Sequence, residues 1–133
     1  IKEMIRVLKP NHTMAITVPR YLPELICWKL SKEYSSANQG HLRIYKKKEV
    51  IKLFETHGLK FLSSHFAHGL HSPYWWLKCF IGPSKQDNLL INLYHRFLVW
   101  DIMENPKLTR FLDYLLNPAI GKSLVTYFKK NDI

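Results

Sequence analysis

The residues best suited to chemistry lie between Ser64 and Phe80, in the stretch SHFAHGLHSPYWWLKCF. His65, His68 and His71 recur every three residues, and Tyr74, Trp75 and Trp76 lie just beyond them. An imidazole donates, accepts or carries a proton near neutral pH. Tyr and Trp supply flat apolar surface with a polar tip. Together these residues suit the wall of a pocket for a small or lipid-like molecule, with one histidine as proton acceptor. Zinc is the competing chemistry, because three or four nitrogen, sulfur or carboxylate ligands hold it in a tetrahedral array. A spacing of three gathers imidazoles only on a helix or a tight turn, and Gly69 and Pro73 argue against a regular helix. No carboxylate lies in the stretch and Cys79 has apolar neighbours, so no metal is expected. The plainer alternative makes Trp75, Trp76, Leu77 and Phe80 one turn of a core helix, with the histidines at its solvent edge.

A second candidate set is Arg43 and Tyr45, within the alternating pentapeptide His41 to Tyr45. If Leu42 and Ile44 face the core, His41, Arg43 and Tyr45 face away from it. A guanidinium fork there can meet an anionic substrate group or a surface carboxylate. Asp101 sits between Trp100 and Ile102, and Arg96 or Arg110 is its expected partner.

The elements that must position these residues begin with Ile5 to Pro19, IRVLKPNHTMAITVP. Met4, Ile5, Val7 and Leu8 fit the core-facing side of a helix, and Lys9 suits its negative C-terminal end. Pro10 ends the helix, Asn11 and His12 make a turn, and Met14, Ala15, Ile16 and Val18 form a strand. So apolar a run predicts a strand covered on both faces, as in a parallel sheet. Pro23 and Glu24 open a helix over about 23–33, and Tyr34 to Gly40 is a polar loop. A helix opens at Lys47 with an apolar stripe of Val50, Ile51, Leu53 and Phe54, and Gly58 caps it. Strands are predicted at about 59–66 and 123–128. Between them, 87–116 is helical, broken at Asn105-Pro106 and again at Asn117-Pro118. Its expected apolar sides are Leu89, Leu90, Leu93, Phe97, Leu98 and Trp100 in the first helix, then Phe111, Leu112, Leu115 and Leu116.

Arg6-Val7-Leu8-Lys9-Pro10, a two-residue turn and a hydrophobic strand resemble the approach to strand five of class I S-adenosylmethionine-dependent methyltransferases of the type 11 kind. That family usually carries Gly-Gly where this chain has Asn11-His12. Residues 41–62 match the family's next elements: an insert, a phrase like His41-Leu42-Arg43-Ile44-Tyr45, a helix ending in Gly58-Leu59, and strand six. The resemblance implies an α/β fold, the C-terminal half of a Rossmann-like sheet, with Ser123 to Phe128 as an antiparallel strand seven between strands five and six.

It also implies S-adenosylmethionine as cofactor and a small-molecule acceptor, held on the side of His65, His68, His71, Tyr74, Trp75, Trp76, Arg43 and Tyr45. In the family the cofactor rests on a glycine-rich loop and an acidic residue in the first half of the sheet. The five glycines here are widely spaced, so that site is expected upstream of Ile1, and this chain alone is expected to be inactive. Ile1-Lys2-Glu3 accordingly reads as the middle of a helix in a longer protein. With its strand-four neighbour missing, the edge at Thr13 to Val18 is expected to pair with a second copy, be covered by the N-terminal segment, or drive aggregation.

Composition sets the outer bounds. The chain has 133 residues, enough for one domain or part of one, and a net charge of +10. Such a charge fits nucleic acid, but only Lys46-Lys47-Lys48 forms a run. A basic nucleic-acid-binding module, with aromatics stacking on bases, or a non-catalytic interaction domain are therefore the alternatives. No apolar run is long enough to span a membrane. Cys27 and Cys79 make no disulfide framework and read as buried thiols of a cytoplasmic protein.

Overall fold

The computed structural model describes residues 1–36, 43–85 and 87–131. His41, Leu42 and the end of the expected polar loop, 37–40, lie outside the described residues.

Three strands, β1 (Thr13–Pro19), β2 (Leu59–Ala67) and β3 (Ser123–Lys130), form one sheet in the order β1-β3-β2. The last strand lies in the middle, antiparallel to both neighbours, so β1 and β2 run the same way. Met14, Ile16 and Val18 stand opposite Phe128, Thr126 and Leu124, and Phe61 and Phe66 flank Phe128 and Leu124 from the other side. The period of two thus gathers one apolar face. Onto it pack Val50 and Phe54 of helix α4 (Lys47–Glu55), with Ile5 and Leu8 from helix α1 (Lys2–Val7) and its end. Phe54 and Phe61 meet Phe128 at ring distances of 4.9 and 5.9 Å. Phe128 is fully buried, and a side chain of that size contributes about 1.5–3 kcal/mol by leaving water.

β1 departs from expectation. It is covered on one face only: Met14, Ile16 and Val18 are half-buried while Thr13, Ala15 and Thr17 are exposed. Its neighbour is antiparallel, and no helix needs to cover the second face. Half of the expected stripe on α1 is exposed too, because a helix of six residues offers the core little more than a turn: Ile5 and Leu8 pack, Met4 and Val7 do not. The outer edge of β1 pairs with no strand among the described residues; just beyond it Arg20 makes a single parallel bridge to Tyr45. In β2 the register shifts between Phe61 and Ser63, which leaves Leu62 exposed as a bulge.

The remaining helices are α2 (Tyr21–Leu30), α3 (Lys32–Ser35), α5 (His71–Ile81), α6 (Leu89–Glu104) and α7 (Lys107–Ile120). The insert expected over 23–33 starts two residues early and is split at Ser31, whose hydroxyl accepts from the Tyr34 amide at 3.1 Å and caps α3. α5 is regular despite Gly69 and Pro73. Gly69 precedes it, and Pro73 occupies the first turn, where a missing N–H costs nothing. Asn117-Pro118 does not end α7, which runs on to Ile120 with Pro118 inside its last turn. Asn88 caps α6 by accepting from the Leu90 and Ile91 amides, and left-handed Asn105 ends it.

The buried residues of α6 are Ile91, Leu98 and Asp101; of the expected side Leu98 is buried and Phe97 packs beside it, while Leu89, Leu90, Leu93 and Trp100 are exposed. On α7, Leu112 and Leu116 pack inward while Phe111 and Leu115 face out. Leu70, Tyr74, Ile91 and Leu98 form the core of this helical layer.

Candidate functional site

β1 leads into α2 and β2 into α5, both at the end of the sheet where β3 begins. In open α/β sheets the crevice outside the carboxyl ends of strands is the usual ligand position. Here that end is built from Arg20, the turn Ala67 to Leu70, and Lys122.

Lys122 is a residue that no local pattern singles out. It sits next to Gly121, nearly buried, and its ammonium lies 2.5 Å from Oε2 of Glu24 on α2, a carboxylate with no exposure. The other Glu24 oxygen accepts from the Tyr34 hydroxyl at 2.9 Å. Lys122 Nζ also lies 3.6 Å from Cys27 Sγ and 5.8 Å from the ring centres of Tyr34 and Trp75. The ammonium is thus held by a carboxylate and two aromatic faces. Burial and the Glu24 charge push the Tyr34 hydroxyl well above its usual pKa. Cys27 and Cys79 share this cluster. The hydrogen bond between them lowers the Cys27 thiol and raises Cys79, with Lys122 nearby aiding the Cys27 thiolate.

The turn into α5 is tied down by α7. Asn117 Oδ1 accepts from the Gly69 amide at 2.8 Å and Asp113 Oδ1 from the Leu70 amide at 2.9 Å. A Cβ on Gly69 would stand 2.8 Å from Leu116 Cβ. His68 adopts the left-handed region at φ 62°. Arg20 donates to the carbonyls of Asn117, Pro118 and Ala119 at 3.0–3.2 Å, and so supplies a partner to the last turn of α7. Its guanidinium also stacks 3.7 Å from the centre of the Phe66 ring.

The structure divides the candidate residues from the sequence. His68 and His71 come together at a ring distance of 5.3 Å, and His68 Nδ1 lies 3.1 Å from the Ser123 hydroxyl. His65 is on the open face of the sheet, stacked on Tyr127 at 5.7 Å. Tyr74 and Trp75 meet edge to face at 5.5 Å, while Trp76 turns to α2 and donates to the Pro23 carbonyl at 3.1 Å. The helical alternative is partly met: Trp75 and Trp76 are half-buried in α5, but Phe80 is exposed. Arg43 and Tyr45 form a separate pair, the guanidinium 4.8 Å from the phenol ring centre. Tyr45 packs against the sheet core, so it does not face away from it as the alternation predicts.

His71 is the most perturbed imidazole. Burial first, then the neighbouring His68, lower its pKa, while Asp113 and Asp101 act the other way. Its Nδ1 and Asp101 Oδ1 are both buried without a hydrogen-bond partner among the described residues. Among the described residues Asp101 makes no ion pair with Arg96 or Arg110, the expected partners. It is buried on α6 and acts electrostatically on His71. A neutral imidazole in such a setting can accept a proton.

Among the described residues, no group of three or more His, Cys, Asp or Glu is placed to hold a metal ion, and no helix is long and apolar enough to cross a membrane. Gly69 and Gly121 approach neighbouring chain, with a Cβ on Gly121 falling 2.6 Å from the Asn117 carbonyl, so neither cradles a ligand. No protein-family model, curated protein or solved structure matches the chain.

Proposed function

We propose that this chain is the acceptor-binding side of an S-adenosylmethionine-dependent methyltransferase. The observation that carries the reading is the strand order, with the last strand antiparallel between two strands that run together. It is the arrangement that the resemblance implies for strands five, seven and six. Support also comes from the polar groups at the sheet end where α2 and α5 begin.

The cofactor supplies an electrophilic methyl group and is assigned to no residue of this chain. The residues here position the acceptor and take its proton. His71, kept neutral, is the proton acceptor, with His68 and Ser123 beside it. Tyr74 and Trp75 supply the flat apolar wall. Lys122 and Glu24 hold α2 against the start of β3 and so fix the floor.

The test is calorimetric titration of S-adenosylhomocysteine into the protein made from the complete reading frame. Saturable one-to-one binding is expected, with His71→Gln keeping that binding and losing methyl transfer. Absence of any binding by the complete protein would overturn the reading.

A further inference from the structure

Two cavities on the α5–α6 side share a wall of Tyr74, Lys78 and His95. The first, about 330 Å³, is completed by Lys85, Ile91 and Asn92. The second, about 300 Å³, adds His71, Trp75 and the apolar residues Leu98, Val99 and Ile102. Each is large enough for part of a ligand. Their chemistry runs in one direction, from cationic to apolar.

The cationic end holds two lysines, an imidazole and an amide, and no carboxylate lines either cavity among the described residues. Lys78, Lys85 and His95 have no ion-pair partner among those residues. Of the carboxylates nearby, Asp87 lines a separate cavity together with Lys85, and Asp101 and Asp113 act on His71 without lining either cavity. The Lys78 ammonium lies 5.3 Å from the Trp75 ring centre and 5.9 Å from that of Tyr74, and Lys78 lines both cavities. At the apolar end the surface does not close: Val99, Ile102 and Met103 are exposed. An apolar surface rimmed by unpaired cations marks a binding site. A nucleic acid would need a longer track of cations and has no use for the aliphatic end.

We propose that this groove binds an amphiphile with an anionic head group, a phosphate or carboxylate on an alkyl chain. The head lies among Lys78, Lys85, His95 and Asn92, and the chain along Leu98, Val99 and Ile102. The groove shares His71, Tyr74 and Trp75 with the acceptor side proposed above, but the cations and the open aliphatic end that assign its ligand do not depend on methyl transfer.

The experiment uses dodecyl phosphate below its micelle concentration, titrated into the full chain with tryptophan emission as the readout and no S-adenosylmethionine present. Inorganic phosphate and dodecyl maltoside serve as probes of head and tail alone. Saturable binding of dodecyl phosphate is expected, at least tenfold tighter than either control. Lys78→Gln with Lys85→Gln should weaken it tenfold or more, and Ile102→Ser, at an exposed position, severalfold. Lys85→Gln alone, also exposed, keeps the test open if the double variant fails to fold. Sedimentation with phosphatidylglycerol vesicles but not phosphatidylcholine vesicles, reversed by dodecyl phosphate, assigns the head group to a membrane lipid. No sedimentation, with dodecyl phosphate binding retained, assigns it to a free amphiphile. Equal binding of dodecyl maltoside, undiminished binding by the lysine variants, or inorganic phosphate binding as tightly overturns the proposal. Salt-sensitive binding of a single-stranded oligonucleotide at the same lysines, with none of the amphiphile, overturns it as well.

Discussion

The sheet and the helical layer at its end are held together by different forces. Under the sheet, Leu124 and Phe128 pack on Val50, Phe54 and Leu59, and the buried hydroxyl of Thr126 between them donates to the Ile16 carbonyl of the neighbouring strand. At the sheet's end the buried groups are Glu24, Lys122, Tyr34, Ser72, Asp101 and two thiols. The first region gains by leaving water and needs little beyond size and shape. The second has given up the hydration of a carboxylate and an ammonium and depends on their finding each other. Stability in the first is spread over many contacts. In the second it hangs on a few partners, and those partners lie beside the candidate site.

Two substitutions of similar size sharpen the contrast. Phe128→Ala should cost about 3–5 kcal/mol in urea unfolding through the cavity it leaves. Lys122→Met should cost a similar amount, about 3–5 kcal/mol, by stranding the Glu24 charge. The regions part in the rescue: adding Glu24→Leu to Lys122→Met should restore most of that loss, because an apolar pair carries no stranded charge. A Lys122→Met chain as stable as the parent would erase the distinction between the two regions.

Next in size is Gly121→Ala. Its Cβ would sit 2.6 Å from the Asn117 carbonyl and 2.9 Å from Phe66 Cβ, an overpacking worth about 1–3 kcal/mol. Gly58→Ala is the control, since nothing lies within 4 Å there and only its φ of 86° resists a side chain. Arg20→Ala removes a charged donor from three carbonyls, and at this half-exposed position the loss should be about 1–2 kcal/mol. Hydrogen exchange should quicken first at Gly121, whose amide closes α7; exchange that quickens in α4 instead would disprove the local role.

The smallest effect is the pH dependence of His71. Its folded pKa is lowered, so the unfolded chain takes up a proton that the folded chain refuses. Its contribution is complete above the unfolded value of about 6.5 and is lost as pH falls from there toward the folded value. Unfolding curves of the parent and His71→Gln should therefore converge on the alkaline side and separate as the solution is acidified. Parallel curves would mean that the imidazole is not held neutral.

The strands, the α4 stripe and the glycine after α4 were legible in the sequence, because periodicity and helix-stop chemistry act within a few residues. The features that were not legible are of two kinds. One is the choice of face. α6 carries Leu, Ile, Phe, Val, Trp or Met on every side, so period alone placed Leu98 inward but could not add Ile91 or leave Leu93 and Trp100 outside. The neighbours made that choice, when Leu70 and Tyr74 offered a surface on one side only. The other kind is partnership. Glu24 meets Lys122 across 98 positions, and Arg20 finds three carbonyls near the far end of the chain. No local signal marks such pairs, whereas His68 and His71 meet through the local turn into α5, and His65, on β2, stacks on Tyr127 instead. The order of residues along the chain was enough to say where the three strands and most helices lie, though not that α5 runs regularly from His71 or that α7 continues through Pro118. Which charges are buried together was settled only when the chain packed, because burial is a property of what surrounds a residue and not of the residue itself.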